Sequence, residues 1–205
     1  MVTKKAIKRW KNYSKISGVG QITRRYFVMN AFDGALTMLG VVIGAFIAGQ
    51  LNHPEIIISA GVAGSIAMGA SGMSGAYMTE KAERAKKIKS LEKAMLKKMD
   101  NGLHRKSHRF ATIFAAIVDG VSPAIAAMAV ISPFFLVVLN IIDFNIAFYA
   151  CIGLTLFVLT SLGIYLAKIS EESMFWYGLQ MLIVGLITAF LCVGTSILIG
   201  GSAVI

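Results

Sequence analysis

Residues 27–49 read FVMNAFDGALTMLGVVIGAFIAG, a run in which Asp33 is the only ionisable side chain. About 20 consecutive apolar residues suffice for a helix to cross the hydrocarbon core of a bilayer, so this stretch reads as a membrane span. A carboxylate inside such a span costs at least ~2.5 kcal/mol, and a chain that keeps one there needs it for something. The same pattern returns once, where Asp119-Gly120 lies inside the apolar run from Phe110 to Leu139. Function is therefore sought first at these two aspartates.

Working outward, the remaining apolar runs are Glu55 to Thr79, Ala147 to Ala167 and Phe175 to Ile199, giving five spans. With 57% hydrophobic residues and ten acidic side chains in 205 positions, the chain has too little polar surface to coat a soluble globule. The alternating pattern of barrel strands is absent, so the fold class is an all-α polytopic membrane protein with five transmembrane helices. Pro123 and Pro133 sit inside the third run, the longest, and predict a kink with its far end leaning along the interface.

Charge orients these spans. Eight Lys or Arg crowd the segment before Phe27 and eleven more lie from Lys81 to Arg109, whereas 50–54 and 140–146 carry none. The positive-inside rule then puts the N-terminus and residues 80–109 in the cytoplasm and the C-terminus outside. The organisation that follows is a basic cytoplasmic segment over 1–25, spans one and two over 26–79, a basic helical loop over 80–109, spans three to five over 110–199 and a tail over 200–205. The net charge of +10 is a topological signal, with anionic lipid headgroups rather than nucleic acid as the expected partner. No cleavable signal is expected, because the first apolar run is too long for one. Cys151 and Cys192 have no partner spacing and read as small core residues. The expected location is an integral, multi-pass membrane position, the cell membrane in a prokaryote.

The two halves resemble each other. Phe32-Asp33-Gly34-Ala35 answers Val118-Asp119-Gly120-Val121 at an offset of 86, and Gly75-Ala76-Tyr77 answers Gly163-Ile164-Tyr165 at an offset of 88, in the same direction. Steps of three and four from Asp33 collect Met29, Asn30, Thr37, Gly40 and Gly44, while the same walk from Asp119 collects Thr112, Ala115, Ser122, Pro123 and Ala126. Each aspartate thus lies on a polar or small-residue face, suited to close packing or to a hydrated path. Depth within the two spans is expected to match, toward the cytoplasmic side. Span two adds Met68 and Met73, whose thioethers are soft ligands. The candidate metal or proton pathway is Asp33, Asp119, Asn30, Thr37, Met68 and Met73. His104 and His108, four apart, with Glu80 and Glu83 form a second, cytoplasmic metal candidate. Residues 80–109 read as a helix with an apolar stripe at Ala85, Ile88, Leu91, Met95 and Met99, stopping near Asn101-Gly102.

Several of these residues carry a resemblance. Tyr26 to Gly49 with its early Asp-Gly, the Gly75-Ala76-Tyr77 end of span two, and Gly178-Leu179-Gln180-Met181-Leu182 followed by Gly185 resemble the vacuolar iron transporter family. The resemblance covers most of residues 24–199. It implies a homodimer that moves Fe(II), Mn(II) or a related ion out of the cytosol in exchange for protons. The ion is cargo, and no permanently bound cofactor, catalytic residue or nucleic-acid partner is implied. Asp33 matches the family's first-span aspartate. Ala76 stands where the family has a glutamate, Gly72 where it has a methionine with Met73 next to it, and residues 80–109 lack its cluster of cytoplasmic glutamates. Asp119 is placed to supply the charge that Ala76 lacks. Two other readings differ in class: a membrane scaffold or assembly protein without transport, and an intramembrane aspartyl protease, which the absence of Gly-x-Gly-Asp before Asp119 disfavours.

Overall fold

The computed structural model describes residues 18–49, 53–96 and 103–200. Five helices account for nearly all of them: α1 (Val19–Ile47), α2 (Pro54–Met95), α3 (Leu103–Val138), α4 (Phe144–Ser170) and α5 (Met174–Gly200). Each contains a segment long and apolar enough to cross a membrane, and no strand occurs among the described residues. The five-helix, all-α expectation holds.

The helix ends follow local chemistry. Pro54 opens α2, where its missing N–H is no loss, and Glu55 in the first turn favours the positive end of the helix dipole. Beyond Thr79 the composition changes from apolar to charged, yet α2 continues unbroken to Met95, where Leu96 turns out of the helix at φ 51°. The span and the basic segment as far as Met95 are therefore one 42-residue helix, while the end of that segment, from Leu103, belongs to α3. Met99 and the expected stop at Asn101-Gly102 lie outside the described residues. At the end of α4, Glu171 takes the left-handed conformation (φ 58°, ψ 30°) and sends its N–H to Ala167 O, a cap usually given to glycine. Three residues then separate α4 from α5, short enough to make the two helices antiparallel neighbours.

Both prolines are accommodated inside α3, which stays one helix from Leu103 to Val138. Pro133 has no N–H for the carbonyl of Ala129; the Ser132 hydroxyl donates to that oxygen instead, at 2.7 Å. A freed carbonyl in hydrocarbon needs such a substitute donor.

The chain divides into two compact units. One comprises Met1–Phe27 with Gly69–Ser122, the other Val28–Met68 with Pro123–Ile205. The second unit holds the hydrophobic core. Met38, Leu39, Val42, Ile57, Val130, Ile131, Phe134 and Leu159 are fully buried there, and Phe46 stacks on Phe148 with centroids 4.0 Å apart. Glycines set its close approaches: a Cβ at Gly34 would overlap the backbone of Pro123, reaching 2.7 Å from its Cα, and one at Gly163 would lie 2.7 Å from Tyr177 O on α5. Gly40 and Gly44 of α1 face Cys192 and Ser196 of α5. Cys151 is buried, its thiol donating to Val130 O, and both cysteines are free, consistent with their reading as small core residues.

Candidate functional site

In the first unit, α2 and α3 meet at glycine. A Cβ on Gly69 would lie 2.9 Å from Gly120 O, and one on Gly120 would lie 2.9 Å from Met73 Cβ and 3.2 Å from Met73 N. This contact leaves no room for a side chain on either glycine. One residue before Gly120, the Asp119 carboxylate is pressed against the next glycine of α2, where a Cβ on Gly72 would lie 2.9 Å from Oδ2. Gly72 is thus the notch in α2 that admits the carboxylate, and Asp119 is only 7% exposed. The neighbours collected by helical stepping from Asp119, Thr112, Ala115, Ser122, Pro123 and Ala126, are all buried as well. Ala76, one turn beyond Gly72 on the same face of α2, is buried too. The Asp119 carboxylate thus meets α2 one turn from Ala76.

A chain of polar groups extends from this point along the unit. Tyr26 of α1 lies within electrostatic reach of Asp119 and donates its hydroxyl to Glu80 Oε1 at 3.2 Å. Glu80 accepts a second bond from Arg84 Nε at 2.8 Å, an i,i+4 pair whose side chains are 4% and 6% exposed. Arg84 Nη1 lies 3.2 Å from His108 Nδ1, and since a guanidinium only donates, that nitrogen faces it as acceptor. Carboxylate, phenol, carboxylate, guanidinium and imidazole thus follow one another from the aspartate toward the charged end of α2.

Not every candidate joins this chain. Glu80 and His108 are brought together through the guanidinium of Arg84. Glu83 is exposed on α2, and the side chain of His104 lies outside the described residues. Among the described residues, no three His, Cys, Asp or Glu side chains converge as a metal would need. Met73 is 41% exposed beside Gly120, whereas Met68 packs against the core of the second unit. Asp33, also in the second unit, is exposed together with Met29 and Thr37 on one face of α1, and Asn30 is half-buried. The two Asp-Gly pairs therefore share one feature, a glycine in backbone contact with a neighbour, and differ in the environment of the acid. Sequence reasoning missed Tyr26 and Arg84. Arg84 was readable from its spacing to Glu80, but nothing local linked Tyr26 to a residue 54 positions on.

These features define a polytopic α-helical membrane protein with carboxylates inside its spans. The family model of the VIT family matches residues 85–196. An uncharacterised protein of Methanocaldococcus jannaschii is 37% identical over 178 residues, covering 84% of this chain and 88% of that protein. The chain belongs to the VIT family, the vacuolar iron transporters, and that membership points to metal-ion transport.

Proposed function

We propose that this protein exports a divalent transition-metal ion, Fe(II) or Mn(II), from the cytosol in exchange for protons, acting as a homodimer. The observation that carries this reading is the exposure of Asp33 on the surface of a single protomer, within a span. A carboxylate facing lipid at that place is costly, whereas one facing a second copy across a hydrated path is not. Two copies would bring two Asp33 carboxylates, with Thr37 on the same face, to a shared pathway, and oxygen donors suit Fe(II) and Mn(II). Asp119, buried against Gly72, is the second carboxylate, and Met73, which packs on Gly120, is the soft ligand candidate closest to it in the contacts between α2 and α3.

Exchange follows from carboxylate chemistry. The same oxygen atoms bind either a cation or protons, so each ion that leaves opens the site to protons. The basic residues before Phe27 and from Lys81 to Arg109 belong on the cytoplasmic side by the positive-inside rule, which makes the Tyr26–Glu80–Arg84–His108 chain the cytoplasmic approach to Asp119.

Proteoliposomes loaded with a metal-sensitive dye test the reading. Wild-type protein should show flux of Fe(II) or Mn(II) that dissipates a pH gradient, compared in parallel with Co(II) and Zn(II). Asp33→Asn preserves shape but removes charge, and should abolish flux while leaving the dimer intact. Flux at the wild-type rate in that variant would sink the assignment.

A further inference from the structure

Between the charged part of α2 and the start of α3, within the first unit, lies an open cleft of about 720 Å³, with Arg84 and His108 of the polar chain in its wall. Its lining is strongly asymmetric in charge. Lys81, Arg84 and Lys89 approach from α2 and Lys106 and Arg109 from α3, against one carboxylate, Glu92. Arg84 is buried and held by Glu80, while the two lysines of α2 and both cations of α3 are exposed along the cleft. Tyr77 sits under Lys81, whose Nζ is 5.7 Å from the ring centroid, fixing that ammonium at the rim.

The position of the cleft is as informative as its charge. It lies where the apolar part of α2 gives way to charge and where, at Arg109 and Thr112, that of α3 begins. Its inner end, at Tyr77, Lys81, Arg109 and Thr112, is therefore at headgroup level, where tyrosine is also favoured. Ala85 and Ile88 add an apolar wall to the same cleft. Cations converging from two helices repel one another unless an anion lies between them, and ammonium and guanidinium groups are the usual binders of phosphate. The volume falls within the ~300–1,000 Å³ of small-ligand sites.

We propose that this cleft binds a phosphate-bearing anion, with the phosphate among Lys81, Lys89, Lys106 and Arg109, and that an anionic phospholipid headgroup supplies it. Basic pockets between spanning helices are a general mode of headgroup recognition, and the apolar wall of Ala85 and Ile88 suits the glycerol backbone of a lipid more than a free ion. The site borders the cytoplasmic approach at Arg84 and His108, but headgroup binding there does not depend on the transport reading.

The test uses the full chain, purified in neutral detergent, and reads its thermal midpoint against dioctanoyl phosphatidylglycerol, dioctanoyl phosphatidylcholine or inorganic phosphate. Native mass spectrometry counts retained lipid in parallel. Two double variants with equal charge loss are compared: Lys89→Gln with Arg109→Gln inside the cleft, and Lys87→Gln with Lys168→Gln, exposed and outside it. Phosphatidylglycerol should raise the midpoint of the wild type and of the outside variant, phosphatidylcholine should not, and the cleft variant should bind about fivefold more weakly per cation removed. If inorganic phosphate reproduces the effect at similar concentration, the site stands and its ligand is a soluble phosphate. Equal weakening in both double variants, or no difference between the two lipids, would overturn the proposal, since diffuse surface charge explains either result.

Discussion

Replacing Arg84 by methionine tests the polar chain at its buried ion pair. The substitution keeps volume and helix propensity but leaves Glu80, 3% exposed, without its counter-charge and with the Tyr26 hydroxyl as a neutral donor. Removing one partner of a buried ion pair costs about 3–5 kcal/mol, because the remaining charge has lost both water and counter-charge. For a chain of this size, 3 kcal/mol corresponds to a fall of roughly 6–12 °C in unfolding temperature. The assay is thermal unfolding in detergent, followed by size-exclusion chromatography after heating. Glu80→Gln with Arg84→Met removes both charges and should recover most of the loss, giving a coupling energy of about 2 kcal/mol or more. Arg84→Lys should fall between, since one ammonium cannot span the carboxylate and His108 as the guanidinium fork does. If Arg84→Met costs under about 0.5 kcal/mol and the double variant is merely additive, the pair is not holding the first unit together and the reasoning fails.

Other outcomes follow from the same geometry. Asp119→Asn should abolish flux as Asp33→Asn does, and the double variant should transport no worse than either single one if both serve one pathway; normal flux with lowered thermal stability would reduce Asp119 to a packing residue. Gly120→Ala and Gly34→Ala should each cost about 1–3 kcal/mol in thermal unfolding, because the added carbon meets backbone that cannot rotate away. Gly153→Ala, where a Cβ would meet nothing within 4 Å, should be neutral or stabilising by up to about 1 kcal/mol. Phe134→Ala, at a fully buried position, should cost about 3–5 kcal/mol in the same measurement.

The number of spans was legible because hydrocarbon demands about 20 apolar residues per helix, and that requirement is written in composition alone. The special status of Asp33 and Asp119 was equally plain, since a charge among apolar neighbours needs no contact map to stand out. Continuity was less so. The change of composition at Thr79 suggested a loop-borne helix, but lysine and alanine propagate a helix well, and α2 runs on to Met95. Likewise the prolines of α3 predicted a kink, and the hydroxyl of Ser132 supplies one donor that a sequence pattern does not assign to a particular carbonyl.

What only the tertiary structure decided is how differently two nearly identical motifs are used. Both aspartates precede a glycine, and both glycines touch a neighbour's backbone, at Pro123 for Gly34 and at Gly69 for Gly120. Periodicity could place each acid on a small-residue face. It could not say which of the two faces a neighbour would cover. The notch at Gly72 admits the Asp119 carboxylate, whereas on the Asp33 side of α1 Gly40 and Gly44 meet α5 while Thr37, Asp33 and Met29 are exposed. The same pattern is therefore a buried group in one case and an exposed one in the other. Burial depends on residues distant in the chain, as Gly72 does for Asp119, and no local sequence rule encodes it.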